Sequence, residues 1–104
     1  MALSFPETVE KPHFEKTSFR VRKKIFVTLN ADEDEAVLKL SEIDQDVYTK
    51  MSNGAIKPVP NKWGKQGWTS VNLIEVDPNL IKDVMKSAYC QVAPKKLSDL
   101  LSDE

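Results

Sequence analysis

The sequence holds one cysteine and one histidine in 104 residues. A lone cysteine excludes an internal disulfide, and Cys90 with His13 falls far short of the donor set a zinc site requires. Phosphate-cradling and metalloprotease signatures are also missing: there is no GxGxxG, no Walker-type loop and no HExxH. No serine, cysteine or carboxylate stands at a spacing from His13 that implies a triad. The chain is therefore expected not to be an enzyme, with no catalytic residue, no metal site, no cofactor and no small-molecule substrate assigned. Nor does any apolar run approach the roughly 18 residues that a membrane-spanning helix needs. The opening MALSFPETVEK lacks a basic stretch followed by an apolar one. A cytoplasmic protein with no membrane partner is the expectation.

What is present suits one modest globular core. The residues are 40% apolar and 30% charged, close to globular averages, and the length suits a single domain. Residues 1–93 are read as that domain and 94–104 as a C-terminal tail with a few leucines.

Fifteen basic and sixteen acidic side chains leave a net charge of −1, so the molecule as a whole has no field to attract a polyanion. The charges are nevertheless segregated. Residues 11–24 carry Lys11, Lys16, Arg20, Arg22, Lys23 and Lys24 against Glu15 alone, and residues 55–68 carry Lys57, Lys62 and Lys65 with no acid. Between them, residues 30–46 hold Asp32, Glu33, Asp34, Glu35, Glu42, Asp44 and Asp46 against Lys39. Four consecutive carboxylates cannot all face one cation, and no glycine provides the sharp turn of a calcium loop, so the acidic run reads as a solvated turn.

Period-two alternation and β-branched content predict three strands between Thr17 and Leu40. In the first, Phe19 and Val21 share one face, and Ser18, Arg20 and Arg22 the other. Ile25–Leu29 and Ala36–Leu40 follow, with His13 in the extended lead-in. Ser41, with Asp44 three residues on, predicts a capped helix whose apolar residues are Ile43, Val47 and Met51. Asn53-Gly54 ends it. The next stretch is too rich in proline and glycine for a helix, although Ala55–Val59 suits a short edge strand. Thr69–Ile74 is the last strand. Asp77 and Pro78 then start a helix with the stripe Leu80, Ile81, Val84, Met85, Ala88, Tyr89 and Val92. Cys90 falls off that stripe and is expected to be exposed. Trp68 is expected between the last strand and a helix, and Trp63 exposed on its loop.

The run SFPETVEKPHFEKTSFRVRKKIFVTL, the strand AVLKLS, and KWGKQGWTSVNL before an amphipathic closing helix resemble the MmcQ/YjbR-like family of small bacterial proteins. The similarity spans roughly residues 2–92. It implies an α+β fold of order α-β(3)-α-β(2)-α, with a two-layer antiparallel sheet similar to secretion chaperones; the full first helix usual in the family is here read as only a short helical turn at Ala2–Phe5. It also implies DNA binding of a double-wing type. Where family members read Asn-Lys-x-His-Trp, this chain reads Gly64-Lys65-Gln66-Gly67-Trp68, so no role of that histidine carries over.

The resemblance turns the two basic stretches into wings. One is the hairpin with Arg20, Arg22, Lys23 and Lys24, and the other is the loop with Lys57, Lys62 and Lys65, where Trp63 is available to stack on a base. Solvated edge-strand charge is the plainer account of the same residues. The competing expectation is a protein-interaction or chaperone-like module, or a homodimer, using a sheet face that a shortened first helix leaves open.

Overall fold

Residues 5–13, 16–60 and 62–102 are described by a computed structural model. Among them are six strands: β1 Thr8–His13, β2 Lys16–Val21, β3 Lys24–Asn30, β4 Glu35–Lys39, β5 Ile56–Pro58 and β6 Trp68–Asn72. They form one antiparallel sheet in the order β1-β2-β3-β4-β6-β5. Four α-helices accompany it, α1 Glu42–Met51, α2 Lys62–Lys65, α3 Pro78–Val92 and α4 Lys95–Ser102, with a 3-10 turn at Ala31–Glu33. The fold is α+β, with an antiparallel sheet and helices packed against it.

The order departs from the expected one in three places. Thr8–His13, read as part of an extended lead-in, pairs with β2 as an edge strand. Its sequence TVEKPH has no apolar alternation, and Pro12 is tolerated because an edge position leaves one side without ladder bonds. Lys62–Lys65 makes one helical turn. Past Pro94, where a tail was expected, α4 forms and its Leu97 is buried in the core. The helical turn expected at Ala2–Phe5 lies outside the described residues, except for Phe5.

Side chains alternate along each strand and agree across the register, so the two faces can be assigned. Ala36 and Leu38 of β4 face Leu29 and Val27 of β3 and Val71 and Thr69 of β6. These residues share the core with Ile56 and with Val84, Met85, Ala88 and Tyr89 of α3. Phe26 has no partner of its own, because Phe19 faces Val27 while Arg20 faces Ile25. This bulge turns both Phe26 and Val27 into the core, where both are buried.

Two side-chain expectations are corrected. Ile43, Val47 and Met51 do not bury α1; they are 76%, 44% and 63% exposed. The helix docks instead through Tyr48, whose hydroxyl shares a 2.8 Å hydrogen bond with Ser87 Oγ of α3, and through Gln45. Polar anchors thus outweigh the apolar spacing. Trp68 is half-buried on the face away from α3, because Thr69 and Val71 occupy the inward positions of β6.

The end caps follow their chemistry. Ser41 Oγ accepts from Asp44 N, and Asp77 Oδ1 accepts from Asn79 N at 2.7 Å, starting α1 and α3 where orphan amides need acceptors.

Candidate nucleic-acid interface

Register decides which loops meet. Val21 pairs with Lys24, leaving Arg22 and Lys23 as the two-residue tip of the β2–β3 hairpin. Arg22 therefore lies in the turn, not on the strand face with Ser18 and Arg20. Val27 faces Leu38, so the end of β4 returns beside that hairpin tip. Lys39 faces Trp68 and Pro58 faces Thr69, which brings the connection from Val59 to Gly67 to the same end of the sheet. Arg22, Lys23 and Lys24 thus share one end with Lys62, Trp63 and Lys65, although some forty residues of mostly acidic or neutral chain separate them. Lys24 and Lys39 line one groove of about 270 Å³ there, together with Ile25, Trp68, Gln91 and Val92.

The opposite end is acidic. Asp32, Glu33 and Asp34 lie between β3 and β4, and Glu75 follows β6. Lys57 lines a cavity of about 290 Å³ with Glu33, Asp34, Glu35 and Glu75. The structure therefore separates Lys57 from the other basic residues of its loop. Among the described residues no group of three or more His, Cys, Asp or Glu side chains is placed to hold a metal ion. Glu35 is engaged otherwise, accepting from Ser70 Oγ at 2.7 Å.

Both basic elements are held firmly. Gln45 Nε2, reaching from α1, donates to Gly64 O at 2.9 Å and to Thr69 Oγ1 at 3.0 Å. Leu40 N donates to Gly67 O at 2.9 Å, and Val59 N donates to Trp68 O at 3.1 Å. Gly67 has φ +106°, and a Cβ there would run into the Leu40 carbonyl. With the backbone held so, the position requires glycine. Lys39 Nζ donates to Gln66 O and lies 5.6 Å from the Trp68 ring centroid.

The hairpin tip is held at a conformational cost. Arg22 and Lys23 have φ of 49° and 72°, the left-handed region that a two-residue hairpin of this type demands and that Asn-Gly fills most easily. Arg22 is tied to Glu7 by an exposed 3.3 Å ion pair. Arg20, on the open face, donates from Nε to Ser18 Oγ at 3.1 Å.

Sequence reading missed Lys16, Lys39, Ile25, Thr28 and Val37 as parts of this surface. The signal was the alternation of Val37 with Leu38 and Lys39, obscured because Trp68 was assigned inward. The two remaining reactive groups lie elsewhere. Cys90 is exposed, yet local burial pushes its thiol up, partly offset by Lys86, so it is a thiol rather than a nucleophilic thiolate at neutral pH. His13 ends β1, and its side chain lies outside the described residues. No helix among the described residues is long and apolar enough to cross a membrane.

These features define a small α+β domain with an antiparallel sheet, helices packed against it, and a cluster of basic residues at one end of the sheet. The chain belongs to the YjbR family, whose model matches residues 3–91. Its fold is similar to that of Deinococcus radiodurans protein DR2400, a protein with a DUF419 domain, in a crystal structure. The TM-score is 0.76 over 97% of this chain and 82% of that one, at 18% identity. A search of curated proteins gives no match.

Proposed function

We propose that this protein is a non-catalytic, cytoplasmic DNA-binding protein whose interface is the basic end of the sheet, with the β2–β3 hairpin and the β5–β6 connection as its two wings. The observation that carries the reading is the antiparallel register, which brings Arg22, Lys23, Lys24, Lys62 and Lys65 to one end and sends the acidic turns to the other. A chain of net charge −1 acquires by this a local cluster of positive charge that attracts phosphates. The conformation of the hairpin tip adds support. Two long basic residues occupy positions that Asn-Gly would fill at lower cost, and such costs persist where function holds them.

Phosphate contacts dominate an interface of this composition, so affinity should fall with salt. With about four to five phosphates neutralised, the slope of log K against log salt is expected near −4 for duplex DNA. Fluorescence anisotropy from about 50 to 300 mM salt measures it. A slope near zero, or no complex at tens of micromolar protein in about 50 mM salt, would remove the proposal.

A second reading is favoured by one observation. Exposed Ile43, Val47 and Met51 form an apolar stripe on α1 beside the acids Glu42 and Asp46, complementary in charge to the basic end of a second copy. Association of this head-to-tail kind would disperse at high salt in a sizing measurement, and a concentration-independent monomer would exclude it.

A further inference from the structure

The sheet face away from α3 carries an open groove of about 420 Å³ lined by Lys16, Ile25, Thr28, Val37, Trp63 and Trp68. We infer that this groove is a stacking site for an unpaired nucleobase, so that the preferred nucleic acid is single-stranded. The inference rests on the proposed reading of the basic end as a nucleic-acid interface and names the form of the ligand.

The groove has the chemistry of such a site. Its floor is strand surface, with Ile25 of β3 and Val37 of β4 half-exposed and Thr28 between them. Its walls bear two indoles from different elements, Trp68 at the start of β6 and Trp63 on α2, the latter 51% exposed. A volume of a few hundred Å³ suits a planar ring system. Paired bases inside a duplex offer only their edges in the grooves, and a base held in the stack presents no open face to an indole. Splayed, unpaired bases instead stack on aromatic side chains presented by sheets.

The charge around the groove fits a strand passing over it. Lys16 lines it, and Arg20 shares its face of the sheet. At the other side Lys39 places its ammonium over Trp68. From there the basic end continues the path through Lys24 and the hairpin tip. Lys16 begins β2 at the end that also holds the acidic turn, where Glu35 of β4 is bonded to Ser70. Phosphates therefore have cationic contacts on either side of the indoles, as single-strand binding grooves require.

The test compares a labelled 20-nucleotide oligothymidylate with a mixed-sequence 20-base-pair duplex by anisotropy, with tryptophan emission read in parallel. The expected result is tighter binding of the single strand by about ten-fold or more, with quenched emission. Trp63→Ala should weaken the single strand by roughly 5- to 150-fold while leaving the duplex unchanged, as expected for loss of one stacked base, and Trp63→Phe should restore most of the affinity. Val37→Glu, which sets a carboxylate in the groove floor, should cost the single strand at least as much, with the folded state checked by circular dichroism. Unchanged single-strand affinity in Trp63→Ala, or equal affinity for both forms with unquenched emission, overturns the inference. The two proposals fail separately. Salt-dependent duplex binding together with single-strand affinity that ignores Trp63 leaves the wings and removes the stacking site, whereas single-strand binding that needs Trp63 but ignores Lys23 and Lys65 does the reverse.

Discussion

Phe26→Ala should destabilise the protein by about 3–5 kcal/mol, a large share of the roughly 5–15 kcal/mol that holds a domain of this size folded. The phenyl ring is completely buried, edge-on to Tyr89 of α3 with centroids 5.5 Å apart, and it meets Phe5 at 6.2 Å. Phe5 in turn stacks on Tyr89 at 5.0 Å, and the Tyr89 hydroxyl donates to Pro6 O at 2.7 Å. One side chain therefore joins the bulge in β3, the closing helix and the segment leading into β1. Its removal leaves a cavity that the sheet cannot close, since the bulge fixes the backbone around it. A urea melt should show the midpoint falling with little change of slope. A loss below about 1 kcal/mol would contradict this account of the core.

Replacing the hairpin tip by Arg22→Asn with Lys23→Gly should move stability and binding in opposite directions. Releasing two residues from left-handed conformations is worth about 1–2 kcal/mol each, less for the asparagine, which still carries a Cβ. Against this stands the loss of the Arg22–Glu7 pair, exposed and worth at most about 1 kcal/mol. The melting midpoint should therefore rise modestly. Duplex affinity should fall by roughly ten-fold or more at about 50 mM salt, and the salt slope should drop from near −4 to near −2, since two phosphate contacts are removed. A variant that binds as well as the parent would show that the strained tip serves no nucleic-acid contact.

Much of this architecture was legible in the sequence because local signals agreed with the fold. The capped closing helix with its stripe through Val84 and Tyr89, the strands around Phe19, Val27 and Leu38, and the edge strand near Ile56 all have the periodicity and punctuation their positions require. Three of the failures share one cause, tertiary contacts that the apolar pattern does not show, whereas α4 was missed although its Leu97 packs into the core. β1 is stabilised by pairing with β2 and shows no alternation to read. Helix α1 presents its apolar spacing to solvent because Gln45 and Tyr48 provide the anchors. Trp68 lies on the open face because Thr69, satisfied by Gln45 and by the Gly67 carbonyl, is the residue buried in its place.

For the candidate site, the basic residues were legible but their grouping was not. Charge counting treats residues 55–68 as one positive loop, yet β5 carries Lys57 to the acidic end while α2 keeps Lys62 and Lys65 at the basic one. Only the strand register makes that division. It also recruits Lys39, which in the sequence stands isolated among carboxylates.

The central claim is that the basic end of the sheet meets nucleic acid, and backbone amide chemical shifts followed during titration with DNA test it most directly. The expected result is a contiguous set of perturbed amides at Arg20–Ile25, Lys39 and Lys62–Trp68, with Asp32–Glu35 and Glu75 unmoved. Perturbations centred on the acidic end or on the exposed stripe of α1, or none at saturating DNA, would contradict it.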